Sequence, residues 1–177
     1  MTVVNRTATL LFAGGGTGGH LYPAIAIADR VSELLRDHYD VDIHFVGTRR
    51  GIEYRLRDSL GYPLHIVNVR GLVRTFTLKN LLVPFVLMSA LIKSWRLLSR
   101  LKPDVVIGTG GYVALPVVRV AALRTVPTVL QEQNSFPGIT TRKLAPHATH
   151  VFLGFGGAGS LISTKGQVTV SGNPVRQ

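Results

Sequence analysis

No cysteine occurs anywhere in the chain. That excludes a disulfide scaffold, a thiolate zinc site and a cysteine nucleophile, and it fits a reducing compartment. Acidic residues are scarce: nine stand against twenty lysines and arginines, a net charge of +11 over 177 residues. Their placement tells more than their number. Seven of the nine lie between Asp29 and Asp58, and none between Ser59 and Pro103, where Arg70, Arg74, Lys79, Lys93, Arg96, Arg100 and Lys102 all fall. One face or lobe is therefore strongly cationic and calls for an anionic partner: nucleic acid, an acidic membrane or a phosphorylated substrate. No recognisable RNA or DNA module is present, so nucleic acid is not expected as a partner. Long apolar runs are missing too. "LLVPFVLMSALI" (81–92) is interrupted by Pro84 and closed by Lys93, short of the roughly 20 residues that a membrane span needs. The N-terminus has no charged segment leading a long apolar one and reads as a first strand, not a signal peptide.

Hydrophobic residues make up 46 % of the chain, enough for one domain with a real core, or one and a half at most. Strand-like runs alternate with helical patterns. "ATLLFAG" (8–14), "VDIHFVG" (41–47), "PLHIVNV" (63–69), "PDVVIG" (103–108), "PTVLQEQ" (127–133), "THVFLGF" (149–155) and the start of "QVTVSGNPVRQ" (167–177) read as strands. Between them "LYPAIAIADRVSELLRDH" (21–38) carries Ile25, Ala28, Val31 and Leu35 at helical spacing. Helices are also predicted over 51–61, 78–102, 111–125 and 139–148. Several strands are continuous apolar runs, as expected where both faces of a parallel sheet are covered. The fold class is α/β, a doubly wound parallel sheet.

In such sheets ligands bind beyond the carboxyl ends of the strands. Three unusual stretches fall there: "GGGTGGH" (14–20), "GTGGY" (108–112) and "EQN" (132–134). A glycine-rich turn between strand and helix lets backbone N–H groups approach an anion. Gly14, Gly16 and Gly19 also satisfy the dinucleotide pattern. The second strand lacks the acid that would hold a ribose, although Arg49 and Arg50 could meet a 2′-phosphate; an NADP-binding domain is thus one alternative. The P-loop pattern is absent, with His20 where lysine would stand. His20, in a local positive field, should be neutral and is a candidate general base. Glu132 is either a partner of a basic side chain such as Arg142, or an orienter of His20, or an acceptor for a sugar hydroxyl. Asn134 offers donor and acceptor to a sugar or amide, and Tyr112 either walls the crevice or packs at a helix start. "DVD" (40–42) reads as a solvated turn at the wrong edge for a metal. Phe76, Leu81, Leu82, Phe85, Val86, Met88, Leu91 and Trp95 exceed what one helix face buries. They form either a core helix or a patch that dips into a membrane interface beside the basic residues.

Taken in order and spacing, "GGTGGHLYPAIAIA", "PDVVIGTGGYV", "EQN" and "SGNPVR" make the chain resemble the N-terminal half of the MurG family of peptidoglycan glycosyltransferases. The resemblance runs from the first strand to Arg176. It implies a Rossmann-like domain that forms one half of a GT-B arrangement. The implied activity is inverting transfer of GlcNAc from UDP-GlcNAc to the 4-hydroxyl of MurNAc in undecaprenyl-diphosphate-MurNAc-pentapeptide (lipid I), with no cofactor and no obligatory metal. Thr17, Gly18, Gly19, Asn134 and Arg176 match donor-contacting positions, and His20 matches the proposed base. Gly110, Gly111 and Tyr112 match a loop that helps to hold the acceptor, and Glu132 is grouped with them. The basic apolar segment matches a membrane-docking region, implying a peripheral protein on the cytoplasmic face, against anionic lipid. Residues 1–170 would be the acceptor-binding domain and 171–177 the start of a linker to a donor domain that lies outside this chain. The half is then expected to fold alone and to transfer little or no sugar alone. A non-catalytic membrane-anchoring subunit is the third alternative. Two departures touch the acceptor side: Gln131 replaces the family's usual histidine before "EQN", and Ala114 and Leu115 follow "GGYV" in place of serine and glycine.

Overall fold

The computed structural model describes residues 6–69 and 83–175. In chain order the elements are β1 (Arg6–Gly14), α1 (Gly18–Leu35), β2 (Tyr39–Gly47), α2 (Ile52–Arg55), β3 (Leu64–Ile66), α3 (Val83–Leu101), β4 (Val105–Gly110), α4 (Ala114–Leu123), β5 (Thr128–Glu132), α5 (Ile139–Leu144), β6 (His150–Leu153) and β7 (Gln167–Val170). The strands form one sheet in the order β3-β2-β1-β4-β5-β6-β7, and every neighbouring pair is parallel. The order reverses between β1 and β4, which makes their carboxyl ends the topological switch point.

Parallel pairing with helices on both sides explains the apolar runs. Successive β1 residues feed opposite faces. Leu11 and Ala13 enter a core with Val46, Leu97, Leu98, Val117, Val118 and Ala121. Leu10 and Phe12 enter a second core with Leu21, Ala24, Ile25, Ala28 and Phe45, where Phe12 stacks on Phe45 with ring centroids 5.2 Å apart. The stripe of α1 that faces the sheet is Leu21, Ala24, Ile25 and Ala28; the expected Val31 and Leu35 are only half-buried.

Several boundaries differ from the sequence expectation, three of them for an evident local reason. Helix α1 begins at Gly18, so Gly18, Gly19 and His20 form its first turn instead of a preceding loop. Strand β4 runs on to Gly110, pairing Gly14 with Gly110 after a register shift. The predicted helix over 139–148 ends at Leu144 and continues as a tight 3₁₀ turn over Ala145–His147, where Pro146 removes a donor. Pro84 lies within the described part of α3 and does not break it. Residues 78–82 of that predicted helix lie outside the described residues.

Candidate active site

The two glycine turns meet face to face at the switch point. Thr17 precedes α1 in extended conformation, and its hydroxyl lies 3.0 Å from His20 Nδ1. Thr109, buried at the end of β4, donates its hydroxyl to the His20 carbonyl at 2.8 Å. The imidazole therefore has little freedom. It lies against Gly110, where a Cβ would stand 2.5 Å from His20 Cδ2, and Gly110 is at φ 109°, a region that favours glycine. Beside it a Cβ on Gly111 would strike the Gly15 carbonyl oxygen at 2.4 Å. The second turn is thus built from glycine because the first turn and its histidine press against it.

Between the turns is a cavity of about 300 Å³ lined by Gly16, Thr17, His20, Thr48, Gly111 and Tyr112, among others. Five predicted site residues therefore converge: Thr17, His20, Gly111 and Tyr112 line the space, and Gly110 backs the imidazole. Gly18 and Gly19 follow directly in the first turn of α1. Tyr112 is exposed and walls the cavity. Arg176 lies outside the described residues. Burial lowers the His20 pKa below its ordinary 6.5, against opposing pulls from Glu132, the Gly15 backbone and Glu53. The neutral imidazole expected from the sequence follows, but its main cause is desolvation rather than a positive field.

Glu53 is the residue that sequence reasoning missed. It is fully buried. Its carboxylate accepts the Gly16 N–H at 2.7 Å, the Thr48 N–H at 2.7 Å and the Thr48 hydroxyl at 3.3 Å. The Gly16 amide, expected to be bare and ready for a pyrophosphate, is already taken. This removes a contact that the dinucleotide alternative needs. The available signal was "GTRRGIE", in which Gly47 and Gly51 bracket the turn before the acid.

Glu132 makes neither an ion pair with Arg142 nor a hydrogen bond to His20; its partners are amides of its own loop. Its carboxylate accepts the Asn134 N–H at 3.0 Å, the Asn134 side-chain amide at 2.8 Å and the Gly138 N–H at 3.0 Å. It shapes its own loop and presents Asn134, which is exposed; Arg142 lies over the Phe136 ring instead. Gln133 ties this loop to the second glycine turn through the Thr109 carbonyl at 2.9 Å. Asn173, from "SGNPV", donates to the Gln133 carbonyl at 3.1 Å. Three of the four motif stretches are thereby linked by hydrogen bonds.

The basic segment divides α3 into three stripes. Ala90, Ser94, Leu97 and Leu98 are buried. Phe85, Met88, Ile92 and Trp95, spaced i, i+3, i+7 and i+10, are 74, 57, 46 and 50 % exposed. Lys93, Arg96 and Arg100 form the third stripe and line a cavity of about 330 Å³ with His65. Leu91 packs against the core and Val86 is half-buried, so part of the apolar excess is ordinary core. Phe76, Leu81, Leu82, Arg70, Arg74 and Lys79 lie outside the described residues. Among the described residues no carboxylate pairs with Lys93, Arg96 or Arg100. Nor, among them, is any helix long and apolar enough to cross a membrane. The "DVD" acids belong to strand β2, not to a turn, and Asp42 bonds His44 Nε2 at 3.0 Å.

A crevice at the switch point, with an imidazole held between two glycine turns, is the ligand-binding edge of a domain of the doubly wound α/β class. Residues 10–153 match the glycosyltransferase family 28 N-terminal domain, and the chain belongs to that family. It is 46 % identical over 172 residues to the UDP-N-acetylglucosamine--N-acetylmuramyl-(pentapeptide) pyrophosphoryl-undecaprenol N-acetylglucosamine transferase of Salinibacter ruber, covering 97 % of this chain and 45 % of the relative. It is also 46 % identical over 168 residues to the transferase of the same name from Myxococcus xanthus, covering 95 % of this chain and 43 % of that one. The chain therefore spans less than half the length of these relatives. Among solved structures, MurG of Acinetobacter baumannii superposes with a TM-score of 0.75 at 27 % identity, over 96 % of this chain and 47 % of that one. A UDP-GlcNAc 2-epimerase from Neisseria meningitidis, bound to UDP-GlcNAc, shares the fold with a TM-score of 0.58 at 13 % identity, over 96 % of this chain and 47 % of that one.

Proposed function

We propose that the chain is the acceptor-side half of an inverting glycosyltransferase. It takes GlcNAc from UDP-GlcNAc and places it on the 4-hydroxyl of MurNAc in a lipid-diphosphate-linked muropeptide. The names of the relatives at 46 % identity support this substrate pair, and the site supplies chemistry that suits it. The carrying observation is His20, held neutral in the cavity between the two glycine turns. As the acceptor oxygen attacks the anomeric carbon, the imidazole takes its proton and the bond to UDP breaks. Glu132 and Glu53 lie close enough to favour the imidazolium so formed.

Thr17, Gly18, Gly19, Asn134 and Arg176 are assigned to the donor, and Gly110, Gly111, Tyr112 and Glu132 to the acceptor. Residues 171–177 would begin the linker to a donor-binding domain. The exposed apolar stripe of α3, with its basic neighbour, supports docking on an anionic membrane surface from the cytoplasmic side. In the full-length enzyme, His20→Ala should abolish transfer from labelled UDP-GlcNAc to a lipid I analogue while leaving the fold intact. Turnover within a fewfold of wild type would reject the assignment.

A further inference from the structure

Thr109 is passed over by the sheet. Ala13 pairs with Gly108 and Gly14 with Gly110, and the pairing of β4 with β5 ends at Gly108. A buried residue skipped in this way must find a partner for its carbonyl outside the ladder. Thr109 is fully buried, and its carbonyl accepts a hydrogen bond from Gln133 Nε2 at 2.9 Å. That carbonyl belongs to the peptide unit leading into Gly110, against which the His20 ring packs.

Gln133 is itself held. Its main-chain carbonyl accepts from Asn173 Nδ2 at 3.1 Å. Its side-chain nitrogen carries two hydrogens. One serves the Thr109 carbonyl and the other Gln131 Oε1, while the Gln131 carbonyl lies farther off at 3.4 Å. A carbonyl only accepts, so the Gln133 nitrogen must face Thr109 and Gln131 must turn its oxygen towards Gln133. Gln131 is buried, and this orientation leaves its Nε2 without a hydrogen-bond partner among the described residues. An orphaned donor is destabilising; here it accompanies an amide pair held in one orientation.

The second glycine turn needs such a tether. Gly110 and Gly111 are consecutive glycines at φ 109° and 76°, the least restrained backbone available to a chain. The Thr109 hydroxyl holds the His20 carbonyl, which fixes the main chain of the first turn of α1. The peptide under the ring is fixed from the other side, by Gln133.

We propose that Gln133 is a positioning residue for His20: its side-chain amide, oriented by Gln131, anchors the Thr109 carbonyl and so fixes the Gly110 backbone against which the imidazole packs. That the imidazole so placed serves GlcNAc transfer rests on the function proposed above; the anchoring does not.

Two measurements test this. By NMR of the 177-residue chain, a scalar coupling should pass across the hydrogen bond from Gln133 Nε2 to the Thr109 carbonyl carbon, and a cross-peak should link His20 Hδ2 with the Gly110 α-protons. Gln133→Met removes the donor from a side chain of similar length and should weaken that cross-peak. In the full-length enzyme the same variant should lower kcat by roughly 10- to 100-fold, with the KM for UDP-GlcNAc and for a lipid I analogue within about threefold of wild type. General loss of fold would not separate the two constants in this way. A missing coupling in the wild type, an unchanged cross-peak in Gln133→Met, or a kcat within about threefold of wild type overturns the proposal. So does a rise in KM that matches the fall in kcat, which would place Gln133 in substrate binding. Should Gln133→Met fail to fold, Gln133→Glu, which also lacks the donor, is read by the same criteria. Full-length wild type that does not use UDP-GlcNAc would reject the transferase assignment instead, and the coupling and the cross-peak would still decide whether Gln133 places the ring.

Discussion

The His20 ring rests on the Cα of Gly110: a single methyl group added there would stand 2.5 Å from Cδ2 and 2.9 Å from Nε2. Ninety residues of chain separate the two, and the pairing of β1 with β4 joins them. Gly110→Ala must therefore move the ring and also strain a backbone at φ 109°. The expected cost is about 1–3 kcal/mol of stability, measurable by denaturant unfolding, together with loss of transfer in the full-length enzyme. A variant as stable as the wild type would show that the contact is not tight.

Replacing His20 by Gln keeps a polar side chain of similar size but removes the base. The rate of GlcNAc transfer in the full-length enzyme should fall by roughly 10²–10⁴-fold, with the KM for UDP-GlcNAc changed far less. A large rise in KM with kcat preserved would assign His20 to donor binding instead.

The His20 pKa is lowered in the folded chain from its ordinary 6.5, so below that value the unfolded chain binds the proton more readily. Stability should rise with pH through the window below 6.5 and level off above it. His65 is also lowered, chiefly by burial and then by His44 and Arg100, and acts in the same direction. Unfolding free energies measured from pH 5 to 8 should show this slope, and it should be shallower in His20→Gln. A slope of the opposite sign would mean that the acids near His20 outweigh its burial.

Asp42, His44, His65 and Arg100 form a chain of hydrogen bonds. Asp42 Oδ2 to His44 Nε2 is 3.0 Å, His44 Nδ1 to His65 Nε2 is 3.1 Å, and His65 Nδ1 to Arg100 Nη2 is 3.3 Å. A guanidinium only donates, so His65 Nδ1 must accept and its Nε2–H must donate to His44. His44 in turn donates from Nε2 to Asp42. Nitrogen NMR at pH 7.5 should find both rings as the Nε2–H tautomer. Arg100→Gln should release the constraint on His65.

The exposed stripe of α3 should carry membrane binding. Removing two cations, as in Lys93→Ala with Arg96→Ala, should cost about 1 kcal/mol each, or roughly 30-fold in binding to vesicles containing anionic lipid. Phe85→Ser with Met88→Ser should weaken binding further, because both side chains are more than half exposed and little core is lost. Unchanged sedimentation with vesicles in both variants would leave the stripe without this role.

Much of this was legible in the residues. Continuous apolar strands alternating with helical stripes point to a covered parallel sheet, because both faces of such strands must be apolar. Glycine clusters mark the turns at its ligand edge, and His20, Thr17 and Tyr112 fall there by sequence position alone. What Glu132 would bind was not legible. Its partners are backbone amides two and six residues on, which depend on a loop shape and not on residue type. The start of α1 was misplaced by three residues, since glycines count as helix breakers locally and only packing against β1 and β4 overrides that preference.

From sequence alone, then, came the layering of the sheet, the edge where chemistry occurs and the family to which the chain belongs. Each is encoded by periodicity, by glycine or by motif order within short stretches. Only the tertiary structure decided that Glu53 sits beneath the first glycine turn, that Gly110 supports His20 and that His65 hydrogen-bonds His44. These pairs lie 37, 90 and 21 residues apart. They meet because strand order brings them together, and no local preference of either partner specifies the other.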